Sequence, residues 1–315
     1  MKTAIMGMVL ACGLAAIAGP GAAWADHAQD QSCGDVMLES LAGDVYGHPE
    51  RWRELTLGTF FSEGWDHSWV SPPNGDGGAP RQGWLNADDG VFYRLGIGTF
   101  GWASDAGGNG DQYTGGATFY LPLNQRFEFR LDIPMFVANK GMSDDMSISA
   151  GDFSVTPRFL LTETKNFTQS FDVTLRAPTG DTENFQGVAA VTPKFNFWWN
   201  AWKGLVVRGG TGGFFPYNNQ GTNDVGARPA FLGDLAFGYY FTDHDLTPVG
   251  DLVFYAATNL SYLMNGGPST TTVTITPGFR THLGKNFYLL GGVELPTTQP
   301  EPFDYQVLAG LMKVF

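Results

Sequence analysis

Charge is scarce in this sequence. Asp, Glu, Lys and Arg make up 16% of the 315 residues, where a soluble domain normally carries about a quarter. Long apolar runs are missing as well. Beyond the N-terminus none approaches the roughly 18 residues that a spanning helix requires, which excludes a helical membrane protein. The apolar share of 43% excludes an intrinsically disordered chain. Cations are few, and a formal charge of -13 leaves no basic stripe for nucleic acid. What is present instead is 43 glycines and 14% aromatics. That mixture suits a chain of short alternating strands, with apolar groups on one face and polar groups on the other.

The N-terminus carries a positive start at Met1-Lys2-Thr3, an apolar stretch from Ala4 to Ala18 and the small-residue site Ala23-Trp24-Ala25. Together these predict a secretory signal peptide over residues 1-25. A second reading makes Cys12 the lipidated cysteine of a lipobox, Val9 to Gly13. Cleavage after Ala25 would leave Cys33 as the one cysteine, which cannot form an internal disulfide.

The C-terminus, Tyr305 to Phe315, places Tyr305, Val307, Ala309, Leu311 and Phe315 on one face at period two. It resembles the terminal signature of bacterial outer-membrane barrels, a last strand ending on Phe that the barrel-insertion machinery reads. Lys313 departs from that pattern, and a lysine near the rim can snorkel.

From residue 89 onward, short apolar runs alternate with turn-rich gaps, predicting twelve strands. They fall near 90-102, 112-122, 126-137, 152-162, 166-177, 188-199, 203-215, 229-241, 249-263, 270-283, 286-296 and 303-315. Five short connections alternate with six mostly longer, polar ones. This is the pattern of an all-β, up-and-down transmembrane barrel of about 12 antiparallel strands, with short periplasmic turns and extended outer loops. Alternation within strands agrees: Phe127, Phe129, Leu131, Ile133 and Met135 share one face, and Glu128, Arg130 and Asp132 the other. Aromatics at strand ends, Trp102, Phe119-Tyr120, Trp198-Trp199, Trp202, Phe214-Phe215, Tyr239-Tyr240-Phe241 and Tyr288, predict two interfacial girdles. Val155-Thr156-Pro157-Arg158-Phe159, Val191-Thr192-Pro193-Lys194-Phe195 and Ile275-Thr276-Pro277-Gly278-Phe279 repeat one motif, marking a reused hairpin. Each of these prolines removes a ladder donor, so a bulge or bend is expected at Pro157, Pro193 and Pro277.

Residues 26-88 are different in character. Short helices are predicted over 35-43 and 49-55, with a possible extra strand over 55-65. The segment is an N-terminal extension, either periplasmic or folded into the lumen as a plug.

The stretch from Gly151-Asp152-Phe153 through Val155-Thr156-Pro157-Arg158-Phe159 to Leu175-Arg176-Ala177-Pro178-Thr179-Gly180-Asp181 resembles the phenol-degradation MetA-pathway family of outer-membrane proteins. That family repeats a "GD, alternating strand, PTGD" phrase. The resemblance covers residues 90-315 and implies a barrel that transports hydrophobic or aromatic compounds. It supplies no catalytic residues and no substrate.

Thirteen charged residues are predicted to face the lumen: Arg94, Glu128, Arg130, Asp132, Arg158, Asp172, Arg176, Lys194, Arg208, Asp234, Asp251, Arg280 and Glu294. Facing lipid, each would cost a few kcal/mol near the midplane. Arg130, Arg158, Lys194, Arg208 and Arg280 form a basic band. The band either selects anionic solutes or pairs with Glu128, Asp132 and Asp172 to rigidify the wall. The loop acids Asp105, Asp111, Asp144, Asp145, Asp181, Glu183 and Asp224 either bind cations shared with lipopolysaccharide or are solvated. His27, His48, His67, His244 and His282 show no metal-ligand spacing and no pairing with a serine nucleophile, so neither cofactor nor catalysis is expected. The sequence therefore predicts a passive channel for small solutes in the bacterial outer membrane. A non-conducting structural or surface-interaction barrel is the alternative, and a lipid-acting enzyme a more distant one.

Overall fold

The computed structural model describes residues 32-141, 145-218, 223-264 and 271-315. The predicted signal peptide, Cys12, His27, Asp144 and most of the loop over 264-269 lie outside these residues. A single helix, α1 (Cys33–Ala42), opens the described chain. It is capped by the reciprocal bonds of Ser32 and Asp35. Between α1 and the first strand the predicted second helix is a three-residue turn, Pro49–Arg51. The predicted extra strand reduces to one bridge, Leu55 with Glu163.

Thirteen strands follow: β1 (Leu95–Ser104), β2 (Asp111–Pro122), β3 (Phe127–Lys140), β4 (Met146–Ser149), β5 (Ser154–Glu163), β6 (Phe167–Arg176), β7 (Ala190–Trp202), β8 (Leu205–Pro216), β9 (Ala230–Tyr240), β10 (Gly250–Leu263), β11 (Thr271–Gly284), β12 (Phe287–Pro296) and β13 (Tyr305–Val314). Neighbours in the sheet are antiparallel, and β1 closes on β13 from Leu95↔Val314 to Ser104↔Tyr305. The barrel has twelve staves, because β4 and β5 share one: β5 pairs with the lower part of β3 and β4 with its outer end. The first strand starts at Leu95, later than predicted, because residues 82-94 are occupied inside the barrel.

The predicted faces hold. Outward side chains include Met135 (63% exposed), Phe237 (52%), Phe254 (56%) and Leu311 (50%). Cross-strand outward pairs such as Phe171 with Phe195, centroids 4.7 Å apart, stitch the wall. A continuous apolar exterior on a closed cylinder is a surface built for hydrocarbon, since a soluble protein rarely leaves such an area in water.

Two expectations need correction. No bulge accompanies the prolines. Pro157, Pro193 and Pro277 stay in regular register on one side, opposite Phe129, Val173 and Ala256. On the other side pairing skips two residues without slipping, for example from Val155↔Leu175 to Arg158↔Asp172. A missing N–H removes one rung, and the neighbouring rungs suffice to hold register. The aromatic girdles are also smaller than predicted. Adjacent strand residues point to opposite faces, so Trp199 and Tyr239 face out while Trp198, Tyr240, Tyr120 and Tyr288 face in.

Candidate functional site: a loop held inside the barrel

Residues 82-94 leave the short-turn end of the barrel, rise into the lumen and return to start β1. The loop turns tightly at Leu85-Asn86, closed by a bridge between Trp84 and Ala87. Asn86 takes the left-handed backbone conformation (φ 53°) that the turn demands. Its side-chain amide donates to Thr276 Oγ1 (3.2 Å) and to Glu294 (2.6 Å), and its carbonyl accepts from Asn259 (3.2 Å). Leu85 N–H donates to the Tyr255 hydroxyl at 3.0 Å. Gly90 lies flat against the wall: a Cβ there would come within 2.9 Å of both the Asn196 carbonyl and the Ser170 nitrogen, so glycine is required.

Packing around the loop is aromatic. Trp84 stacks on Tyr255 with centroids 4.8 Å apart and planes at 9°. The Arg208 guanidinium lies 4.8 Å from the Trp84 ring. Tyr93, Tyr240, Tyr288, Leu290 and Met312 complete a buried cluster within the lumen. Beneath it a cavity of about 70 Å³ separates Tyr46 and Trp69 from Gln82, Tyr93 and Val314.

The predicted lumen charges divide into distinct groups. Arg208 donates to the carbonyls of Gln82 (2.7 Å), Ala87 (3.0 Å) and Asp88 (3.1 Å), and pairs with Asp89. Arg158 pairs with Glu128 and with Asp172 (2.9 Å), and donates to the Asp89 carbonyl (3.0 Å). Glu128 in turn accepts the Tyr93 N–H at 2.5 Å. Arg280 pairs with the Gln82 side chain between the rings of Tyr240 (5.4 Å) and Tyr288 (5.0 Å). Lys194 bridges Asp88 of the loop and Asp234 of β9 (2.9 Å), and Asp234 also accepts the Asp88 N–H (3.1 Å). Arg130 pairs with Asp132 at 3.0 Å, and Asp132 accepts from Thr118 at 2.9 Å. The five bases of the band do not share one site. Arg158, Arg208, Arg280 and Lys194 each hold the loop, while Arg130 holds only the wall.

Arg94 departs from its predicted position. It precedes β1, outside the strand, and donates to the carbonyls of Phe315 (2.9 Å) and Gly43 (2.8 Å). It thereby ties the extension to the end of the last strand. Asp251 belongs to a cluster at the short-turn end, in which His244 Nδ1 lies 2.7 Å from its carboxylate and the His244 ring stacks on His282 at 4.3 Å. Among the described residues neither ring bonds a serine, threonine or cysteine, and no group of three His, Cys, Asp or Glu is placed to hold a metal.

Residues absent from the sequence prediction do much of the anchoring. Asp88, Asp89, Asn86 and Gln82 have no periodic context to mark them. Arg81 pairs with Glu163 (3.0 Å) and bonds the turn carbonyls of Thr164 and Lys165. Arg126 gathers the carbonyls of Glu63, Leu160, Leu161 and Thr56 at 2.9 to 3.1 Å. These two arginines hold the extension against the short-turn end of the barrel. The one available signal was the Asp88-Asp89-Gly90 triplet, an acidic pair beside glycine with no partner nearby in sequence.

At the opposite end the repeated "GD … PTGD" phrase forms a compact knot. Asp152 accepts from Gly180 N (2.8 Å), Gly187 N (2.9 Å) and Val188 N (2.9 Å), and pairs with Arg176 at 2.6 Å. Thr179 Oγ1 donates to the Gly151 carbonyl (3.0 Å) and accepts from Phe153 N (2.9 Å). Burial raises the Asp152 pKa, but the three amides and Arg176 outweigh it and hold the carboxyl below its usual range. The knot therefore keeps its full strength above the ordinary aspartate pKa of about 4 and loses it as pH falls through the lower folded value. Asp152→Ala is expected to speed amide exchange at Gly180, Gly187 and Val188 by on the order of 10- to 100-fold at neutral pH. The wild type should approach the same rates, corrected for pH, only in strong acid.

Above the loop the lumen is lined by hydroxyls, Thr99, Thr114, Thr118, Thr174, Thr192 and Thr272, placed inward by the register. Thr99 is exposed although it faces inward, so space remains over the loop.

No family model and no curated protein matches the chain. Solved structures do. The COG4313 outer-membrane channel from Pseudomonas putida F1 is 13% identical, covering 75% of this chain and 100% of that one, with a TM-score of 0.53. The KdgM porin is 11% identical over 70% of this chain and 99% of its own, with a TM-score of 0.48. At such identities the first likeness establishes the fold: this chain is a closed barrel of the outer-membrane type.

Proposed function

We propose that the protein is an outer-membrane channel whose conductance is limited by the loop over residues 82-94. The observation that carries this reading is the combination of an apolar exterior, a polar hydroxyl-lined outer lumen and a segment anchored to opposite walls at mid-height. A purely structural barrel would need no partly open lumen above that segment. The likeness to the COG4313 channel supports the fold on which the reading rests. Small solutes, hydrophobic or aromatic ones among them, are the cargo implied by the MetA-pathway resemblance. Membership in that family is supported by the contacts that Gly151, Asp152, Thr179 and Gly180 of its phrase make. Export by a signal peptide over 1-25, reading of Phe315 by the insertion machinery and contact with lipopolysaccharide belong to the same proposal.

The second reading, a non-conducting barrel, is favoured by one observation, the number of side chains that fix the loop across the lumen. Planar-bilayer recording of the purified full chain separates the two. Small discrete unit conductances are expected, and silence together with no solute uptake in liposome swelling would establish the non-conducting barrel.

A further inference from the structure

Resting on the channel reading, we infer that the path prefers cations, and that Asp88 of the inserted loop is its main specificity determinant. Three of the five bases in the band that the sequence offers to anions are not available to them. Arg158, Arg208 and Arg280 are at most 2% exposed; Arg158 pairs with Glu128 and Asp172 of the wall and Arg208 with Asp89 of the loop, while Arg280 donates to the Gln82 side chain and the Asp251 carbonyl and leaves its Nε without a partner. A guanidinium paired with a carboxylate at contact distance presents little net field to a solute above it.

The surface that a solute meets carries the opposite sign. Around the space over the loop lie Asp88, Asp132 and Glu294, with Asp234 buried behind them, against Arg130 and Lys194; Arg176 is balanced by its buried partner Asp152. Four carboxylates against two cations leave an excess of two negative charges. Asp88 is the most open of the carboxylates for which exposure decides the matter: its side chain is 36% exposed, against 16% for Lys194 beneath it. The outer rim adds Asp105, Asp181, Glu183, Glu301 and Asp304, against Lys140 and Arg228. Acidic walls around a narrow lumen concentrate field lines, draw in cations and repel anions.

The test is the reversal potential of the full chain in a potassium chloride gradient. Potassium should permeate more readily than chloride. Asp88→Asn combined with Asp132→Asn should lower the permeability ratio by about twofold or more. Because those substitutions disturb ion pairs, Thr99→Lys provides an independent arm: it adds a cation at an exposed inward position and should shift the ratio the same way. Conduction that favours chloride, or a ratio unmoved by either change, overturns the inference and leaves the channel reading standing. A barrel that passes no current and admits neither tetramethylammonium nor acetate into liposomes overturns both.

Discussion

Excising residues 83-88 and joining Gln82 to Asp89 through two glycines is expected to raise the unit conductance by about tenfold. Trp84 and Ala87 are already bridged, so the ends of the excised piece lie close together and the shortened turn can close without strain. The change removes the Trp84 and Leu85 side chains from the middle of the lumen and the Asn86 contacts that span it to Thr276, Glu294 and Asn259. Asp89 keeps its pairing with Arg208 and Arg158, so the lower part of the loop stays seated. Twelve staves enclose more than the side-chain-filled lumen of an eight-stranded barrel, yet much less than a sixteen-stranded porin. In so narrow a lumen a Trp and a Leu at mid-height decide whether a water-filled path is continuous. Single-channel recording reads the result directly, and an unchanged unit conductance would show that the loop does not limit flow.

Replacing Arg158 by alanine should have the largest effect on stability. Its guanidinium pairs with Glu128 and Asp172, approaches the Asp89 carboxylate at 3.7 Å and donates to the Asp89 carbonyl. All of these groups are buried. Removing one partner of a buried ionic group typically costs about 3–5 kcal/mol, because the remaining charges keep their desolvation penalty without the compensating attraction. Here three carboxylates would be left together. Urea unfolding of the folded protein in liposomes, followed by its tryptophan emission, should show a midpoint shift of that size. Adding Glu128→Gln to Arg158→Ala should recover a large part of the loss, since the pair then leaves less unpaired charge. If the single and double variants unfold alike, the cluster is not the unit that the geometry indicates.

The wall of this molecule was readable in advance and its contents were not, for a common reason. Strand positions, the parity of Glu128, Arg130, Arg158 and Asp172, and the short and long connections follow from period two and from turn chemistry, which are local. The loop over 82-94 has no period. Its bonds join Asp88 to Lys194, Asp89 to Arg208 and Asn86 to Glu294, partners 106 to 208 residues away. Position along the strands places the five bases in a single band, while nothing local marks the segment that reaches four of them. It also gave both members of Trp198-Trp199 and Tyr239-Tyr240 to the membrane interface, although a pleated strand sends one of each pair inward. Arg94 was misassigned for a related reason: continuing the alternation backward carried the first strand past the point where the chain turns into the lumen.

Arg94 also has a consequence for assembly. Its Nε donates to the Phe315 carbonyl, and the Phe315 N–H donates to the Arg94 carbonyl. The final residue of the chain is thus zipped to the residue at which the inserted segment ends. The seam that closes the cylinder therefore also fixes the foot of the inserted segment, one residue beyond the Leu95↔Val314 pair.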